Sequence, residues 1–269
     1  MTADPAPIQI PSPLSQDALL LQDAFPLLAF PLRVDGFYAS LIRHASSVET
    51  GMGGRLLYLG ELDENGRALM VASNIAGAAS LAVTADPVAQ KQSIHEGVAD
   101  FLVNSLDEAL RILKNEIRKG EPVAVCIAAP RATIEQEMLE RGVLPDFVRD
   151  PGGAGRADNA LDFGAGIKSV PSLALPKDQS IVTWSVEEGP AQWLPRLDAI
   201  ATECIASDES TPAQISRRWL RLAPRYLGRL ARNVRLLRCS TAAANSIAER
   251  MNVASASGEI AVRVRIEVV

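Results

Sequence analysis

Leu56-Leu57-Tyr58-Leu59 is an unbroken apolar run at the centre of residues 55–62. A strand with water on one face alternates polar and apolar residues. A short continuous run instead fits a strand buried on both faces, as in a parallel sheet covered by helices. Residues 68–79 follow with the composition of a small apolar helix, with Gly77 near its end. The same rhythm then repeats, with strands expected over 80–85, 99–103, 122–128 and 146–149. Asp86 caps an intervening helix that opens on Pro87. Ser105 and Glu108 form a capping box for a helix over 106–119, where Leu106, Ala109, Leu110, Leu113 and Ile117 make the buried stripe. Gly120 stops that helix, and a further one over 132–141 ends at Gly142. Alternating strands and helices of this kind imply a doubly wound parallel sheet.

In such a fold the first strand-to-helix turn is where a dinucleotide's pyrophosphate sits. That task requires several glycines and a helix N-terminus facing the anion. Here the turn reads Asp63-Glu64-Asn65-Gly66-Arg67, with one glycine and two adjacent carboxylates. The acids would repel a phosphate. A catalytic carboxylate pair is one reading of them, and solvated turn residues are the simpler one.

The remainder is less regular. Pro5, Pro7, Pro11 and Pro13 suggest an extended N-terminal arm. Pro26 and Pro31 are expected to interrupt any helix over 14–30, and 35–43 suits a short helix or strand. Residues 151–179 contain Gly152, Gly153, Gly155, Gly164 and Gly166, a loop after the fifth strand, where α/β proteins build their sites. Asp150, Arg156, Asp158 and Asn159 are its candidate pocket residues. A strand is expected over 180–186, a helix over 190–206, and one or two helices over 212–240, split or kinked at Pro224. Residues 259–269 alternate, as an edge or antiparallel strand does. The expected organisation is an arm and mixed segment over 1–48, an α/β domain over 49–165 and an α+β segment over 166–269.

The net charge of −5 conceals an asymmetry. Residues 210–248 hold eight arginines and no Lys, Asp or Glu, which leaves −13 for the rest. Arg217, Arg221, Arg225 and Arg229 recur every fourth residue, and Arg225, Arg229 and Arg232 share a face if the helix continues. Such a surface suits a small anionic ligand or an acidic partner; a solvated face pairing with the acidic remainder is the plainer alternative. The overall acidity argues against nucleic acid, whose binding depends on phosphate neutralisation. Cys126, Cys204 and Cys239 are scattered and odd in number, which suits reduced thiols in a cytoplasmic protein. With His44 and His95 the only histidines, no metal-ligand spacing is present. No apolar run approaches the ~20 residues that span a bilayer, and Met1–Pro13 lacks the pattern of a secretory signal.

Several strings between Gly54 and Asp146 carry a family resemblance: Ile75-Ala76-Gly77-Ala78 with Ser80-Leu81, Asp86-Pro87 with Gly97, Leu106-Asp107-Glu108-Ala109-Leu110, Gly120-Glu121-Pro122, and Arg141-Gly142-Val143 with Pro145-Asp146. In these strings and their joint spacing the chain resembles the central Rossmann-like NAD-binding domain of urocanase (urocanate hydratase). The resemblance implies a Rossmann-like parallel sheet with helices on both faces, joined here to an N-terminal arm and a C-terminal α+β extension. The family's glycine-rich loop falls on Glu61–Arg67, where only Leu62 and Gly66 agree. Its ribose-binding acid falls on Thr84, and its turn after the fourth strand falls on Ala129–Thr133. Its segment after the fifth strand falls on Asp150–Arg156, keeping Asp150 and Ala154. The reading that follows is a urocanase-like protein without NAD or other cofactor, acting as a ligand-binding or interaction protein and forming a homodimer, leaning away from catalysis. A hydratase or lyase acting on a small carboxylate, and an oligomeric structural protein, are the alternatives.

Overall fold

The computed structural model describes residues 28–149, 168–170 and 179–268. The first helix among the described residues, α1 (Ala29–Ile42), includes Pro31. Pro31 is the third helical residue, where a backbone N–H has no intrahelical acceptor to lose, so α1 accommodates it; residues 14–27, with Pro26, lie outside the described residues. The doubly wound unit then runs β1 (Leu56–Glu61), α2 (Glu64–Ala76), β2 (Ala79–Val83), α3 (Pro87–Glu96), β3 (Phe101–Val103), α4 (Leu106–Lys119), β4 (Val123–Ile127), α5 (Arg131–Glu140), β5 (Phe147–Arg149) and β6 (Lys168–Val170). All its pairings are parallel, in the order β3-β4-β2-β1-β5-β6.

Both faces of this sheet are covered, as the unbroken apolar runs require. Leu57, Leu59, Ala82, Ala124 and Cys126 pack toward α1 and α2. Leu56, Tyr58, Leu81, Val83, Val125 and Ile127 pack toward α4 and α5. The small residues of α2 have a packing purpose: Ala68, Ala72 and Ala76 recur every fourth residue and are fully buried, on a helix that packs against α1. The expected caps are present at Asp86, Ser105 and Gly120, and Gly97 closes α3 in the left-handed conformation.

The chain continues through β7 (Gln179–Glu188), a 3₁₀ turn (Ala191–Trp193), α6 (Leu194–Cys204), α7 (Thr211–Leu227), β8 (Val234–Ser240), α8 (Thr241–Ala256) and β9 (Arg263–Val268). The helical expectation for 212–240 is corrected here: α7 runs through Pro224 and ends at Leu227, and 234–240 is a strand. Helical spacing of the arginines masked the run Val234, Leu236, Leu237, which suits a strand equally well. The order β8-β7-β9 is antiparallel, with β9 at an edge as its alternation suggested. Trp184 Nε1 and Arg235 Nε both donate to the Asp198 carboxylate, at 3.0 and 3.2 Å, tying α6 to this sheet. A single apolar cluster joins α1, α2 and one face of the parallel sheet to β7, α6, α7, β8 and α8.

Two arginines, Arg218 buried and Arg238 partly buried, fasten the halves together. Arg238 of β8 pairs with Asp35 of α1, which is only 2% exposed, through an Nε–Oδ2 bond of 2.9 Å. Arg218 of α7 donates to the carbonyls of Glu49 and Ala76, at the C-terminal pole of α2 where a cation is favoured. Gly51 and Gly77 make room for that guanidinium: a Cβ on either would lie within 3 Å of Arg218 Nη2, and both have positive φ. Breaking the buried pair by Asp35→Ala leaves Arg238 without its counter-charge. We expect a loss of about 3 kcal/mol in denaturant unfolding, with Asp35→Ala/Arg238→Met recovering much of it.

Candidate functional site

β1 is flanked by β2 on one side and β5 on the other, and the chain reverses its direction of winding there. The crevice outside the carboxyl ends of β1 and β5 is therefore the place where such folds hold ligands. Gly60 adopts φ of 65° beside a register shift against β2. From there the chain leads directly into α2.

The sequence Asp63–Arg67 is not a turn, which corrects the first expectation. Asp63 is the N-cap of α2, and Glu64, Asn65, Gly66 and Arg67 are its first helical residues. Helix propensity understates this start, because Gly66 and the crowded charges disguise an Asp cap. Asp63 Oδ1 accepts from the Gly66 N–H at 2.7 Å. Arg149, the last residue of β5, reaches across the crevice and holds the same carboxylate through both nitrogens, at 2.7 and 2.6 Å. Its Nη1 also donates to the Glu61 carbonyl at 3.1 Å. A Cβ on Gly66 would lie 2.5 Å from Glu61 O and 2.9 Å from Arg149 Nη1, so the one glycine of this segment admits the arginine.

The neighbours of Asp63 are held as well. Arg33 of α1 donates to Asn65 Oδ1 at 2.7 Å and pairs with Glu64 at 3.0 Å. Arg67 pairs with Glu96 of α3 and lies over the Phe30 ring, 5.8 Å from its centroid. Asp63 and Glu64 are exposed, as a solvated reading requires, but they open a helix and make ion pairs at the surface.

On the other side of β1, Arg131 opens α5 and pairs with buried Glu135 at 2.7 Å. Its Cζ would stand 3.2 Å from a Cβ on Gly60. Burial and the nearby Glu135 carboxylate push the Tyr58 hydroxyl well above its ordinary range. Thr84, after β2, is buried; its hydroxyl accepts the Asp86 N–H at 3.3 Å, and its carbonyl accepts from Gln90 at 3.0 Å. Burial pushes the Cys126 and Cys239 thiols up to about 12, so neither is a nucleophile near neutrality. Among the described residues, no three His, Cys, Asp or Glu side chains gather as a metal site, and no helix is long and apolar enough to cross a membrane.

Asp150, Arg156, Asp158 and Asn159 lie outside the described residues. The arginine candidates are not brought into one stripe. Arg217, Arg221 and Arg225 lie on α7, while Arg229 and Arg232 follow its end. Arg217 Nη1 donates to the carbonyls of Ile205, Ala206 and Asp208, closing the end of α6. Arg229 donates to the His95 carbonyl at 2.6 Å. Arg225 lies over the Tyr226 ring. Sequence reasoning passed over Arg149, Arg33 and Arg218. Arg149 left a faint signal, as the one charge ending the short strand Phe147-Val148-Arg149.

Burial alone would raise the Asp63 pKa. The hydrogen bonds and charge of Arg149, with the Gly66 N–H, outweigh it and hold the carboxyl below its ordinary range. A depressed folded pKa gives stabilisation that is complete above the ordinary carboxylate range, near pH ~4, and is lost as pH falls through the lower folded value. Asp63→Ala removes cap and ion pair together and is expected to cost about 1–2 kcal/mol. Asp63→Asn keeps a capping oxygen and should cost less. Urea unfolding from neutral to acid pH checks both, with the gap from the parent protein closing at the acid end.

Residues 34–157 match the family model described as the urocanase Rossmann-like domain. The match begins inside α1, ahead of Gly54 where the similar strings start, and this segment is similar to that domain.

Proposed function

We propose that this protein uses its urocanase-like domain without a dinucleotide and acts as a ligand-binding or interaction protein. One observation carries the reading: the helix N-terminus that would meet a pyrophosphate already meets a carboxylate of the same chain, Asp63, fixed there by Arg149. A pyrophosphate would have to displace that carboxylate and lie close to Glu64. Thr84 adds support, since a buried threonine bound to its own loop cannot accept two hydrogen bonds from a ribose as a carboxylate does.

The assembly we propose is a homodimer. β3 is an outer strand of the parallel sheet, and Phe101 and Leu102 on it are 47% and 38% exposed. Its three residues hold none of the charges or prolines that usually protect an open edge. Two copies related by a two-fold axis satisfy each other's edge. The cytoplasmic placement rests on three cysteines that are all unpaired.

Calorimetric titration of the purified protein with NAD should give no saturable heat. Native mass spectra should show a dimer without added mass. A co-purifying NAD mass, or saturable binding, would overturn the cofactor-free reading, and a monomer would overturn the assembly.

A further inference from the structure

At the opposite end of β1 from Asp63, a cleft of about 460 Å³ opens between α7, α6 and the segment that leads into β1. Arg217, Arg218 and Arg221 line it, with Gln214, Thr202 and Glu49. Three guanidinium groups thus share one cleft, and the residues around it supply little negative charge.

The partners of each group can be followed in turn. Arg218 is 7% exposed, and its two terminal nitrogens donate to neutral carbonyls, those of Glu49 and Ala76. Its Nε has no acceptor. Arg217 spends Nη1 on three carbonyls, and its nearest carboxylate, Glu209, stands 3.7 Å away on an 83% exposed side chain. Arg221 is exposed and has no hydrogen bond or ion pair with the described residues. The one carboxylate lining the cleft belongs to Glu49, on an exposed loop residue.

Elsewhere the chain behaves differently. Arg131, Arg149, Arg235 and Arg238 each hold a carboxylate of the same chain. The larger cleft beside β7 sets Arg229, Arg232 and Arg265 against Glu187 and Glu267. A buried cation is costly unless an opposite charge accompanies it. Burial and the neighbouring Arg221 both lower the basicity of Arg218, the direction expected of an unneutralised site.

We propose that this cleft binds a small polyanion, a phosphorylated or polycarboxylate metabolite, with Arg221 as the direct ligand and Arg217 and Arg218 supplying the field behind it. Arg221 has its planar donor fork uncommitted, the geometry that grips an oxyanion through two parallel hydrogen bonds. The volume exceeds the needs of a bare ion and admits a small metabolite. The proposal stands apart from the cofactor-free reading, because the two sites lie at opposite ends of β1.

The test uses the full chain and two probes, inorganic phosphate and citrate, at ionic strength held constant with chloride. At least one probe should raise the melting temperature saturably. Phosphate alone would identify a phosphorylated ligand, citrate alone a polycarboxylate, and both together the shared oxyanion chemistry. Arg221→Ala should weaken the responding probe about tenfold, as expected for a charge-assisted hydrogen bond, while leaving the melting temperature without probe unchanged. Arg221→Lys should fall between, and Arg225→Ala, on the same helix outside the cleft, should respond like the parent. No response beyond that to chloride, or an undiminished response in both Arg221 variants, would overturn the proposal. NAD titration of the Arg221 variants separates the two readings, since failure at one site leaves the other unaffected.

Discussion

A helix that starts at the carboxyl end of a buried parallel strand presents free N–H groups and a positive pole to the sheet's crest, and something negative has to meet them. In this protein the answer is internal. Asp63 supplies the charge, and Arg149 holds it from the far side of the crevice. The rest of the crest is arranged around that pair. Gly66 lacks a side chain where the guanidinium passes, and Arg33 and Arg67 anchor the following residues to α1 and α3. A substitution confined to one loop would not produce this. The residue at the end of β5, the one glycine of the loop and a helix outside the sheet all take part.

The arginines of the C-terminal half serve a related purpose. Arg217, Arg218, Arg229, Arg235 and Arg238 bind carbonyl groups or acids, while Arg221, Arg225, Arg229 and Arg232 are exposed. Arg217 closes α6, Arg218 closes α2, Arg235 and Arg238 hold Asp198 and Asp35. Arginine suits this work because five donors in one plane can satisfy several carbonyls from one side chain. The charge asymmetry of the sequence is thus largely a joinery between two sheets, and the cleft at Arg221 is where that joinery leaves charge over.

The parallel sheet was legible because each of its signals is local. Apolar runs mark β1, β2 and β4, and Asp86, Ser105, Gly97 and Gly120 mark helix ends by their own chemistry. The crest was not legible, because its meaning comes from pairs far apart in sequence. Asp63 and Arg149, or Arg33 and Asn65, become neighbours only when the strands are ordered. Asp63 was read as an obstacle to phosphate, which its charge allows, but its role as a cap depended on where α2 begins. β8 was missed for a different reason: arginines at helical spacing in 217–229 drew the eye past Leu227, and a seven-residue strand with three arginine-flanked apolar positions satisfies either period. Pro31 costs its helix no bond because it stands in the first turn, whereas Pro224 lies inside α7, which continues to Leu227 without that bond.

α2 is gripped at both poles, by its own Asp63 and β5's Arg149 at one end and by α7's Arg218 at the other. Its thirteen residues form a rod about 20 Å long. Leu69, Met70 and Ile75 are buried on it beside the alanines, so core packing and the two end contacts together set its position. The Asp63–Arg149 pair and Arg218 thus close the two ends of one helix, each with a side chain that is distant in sequence.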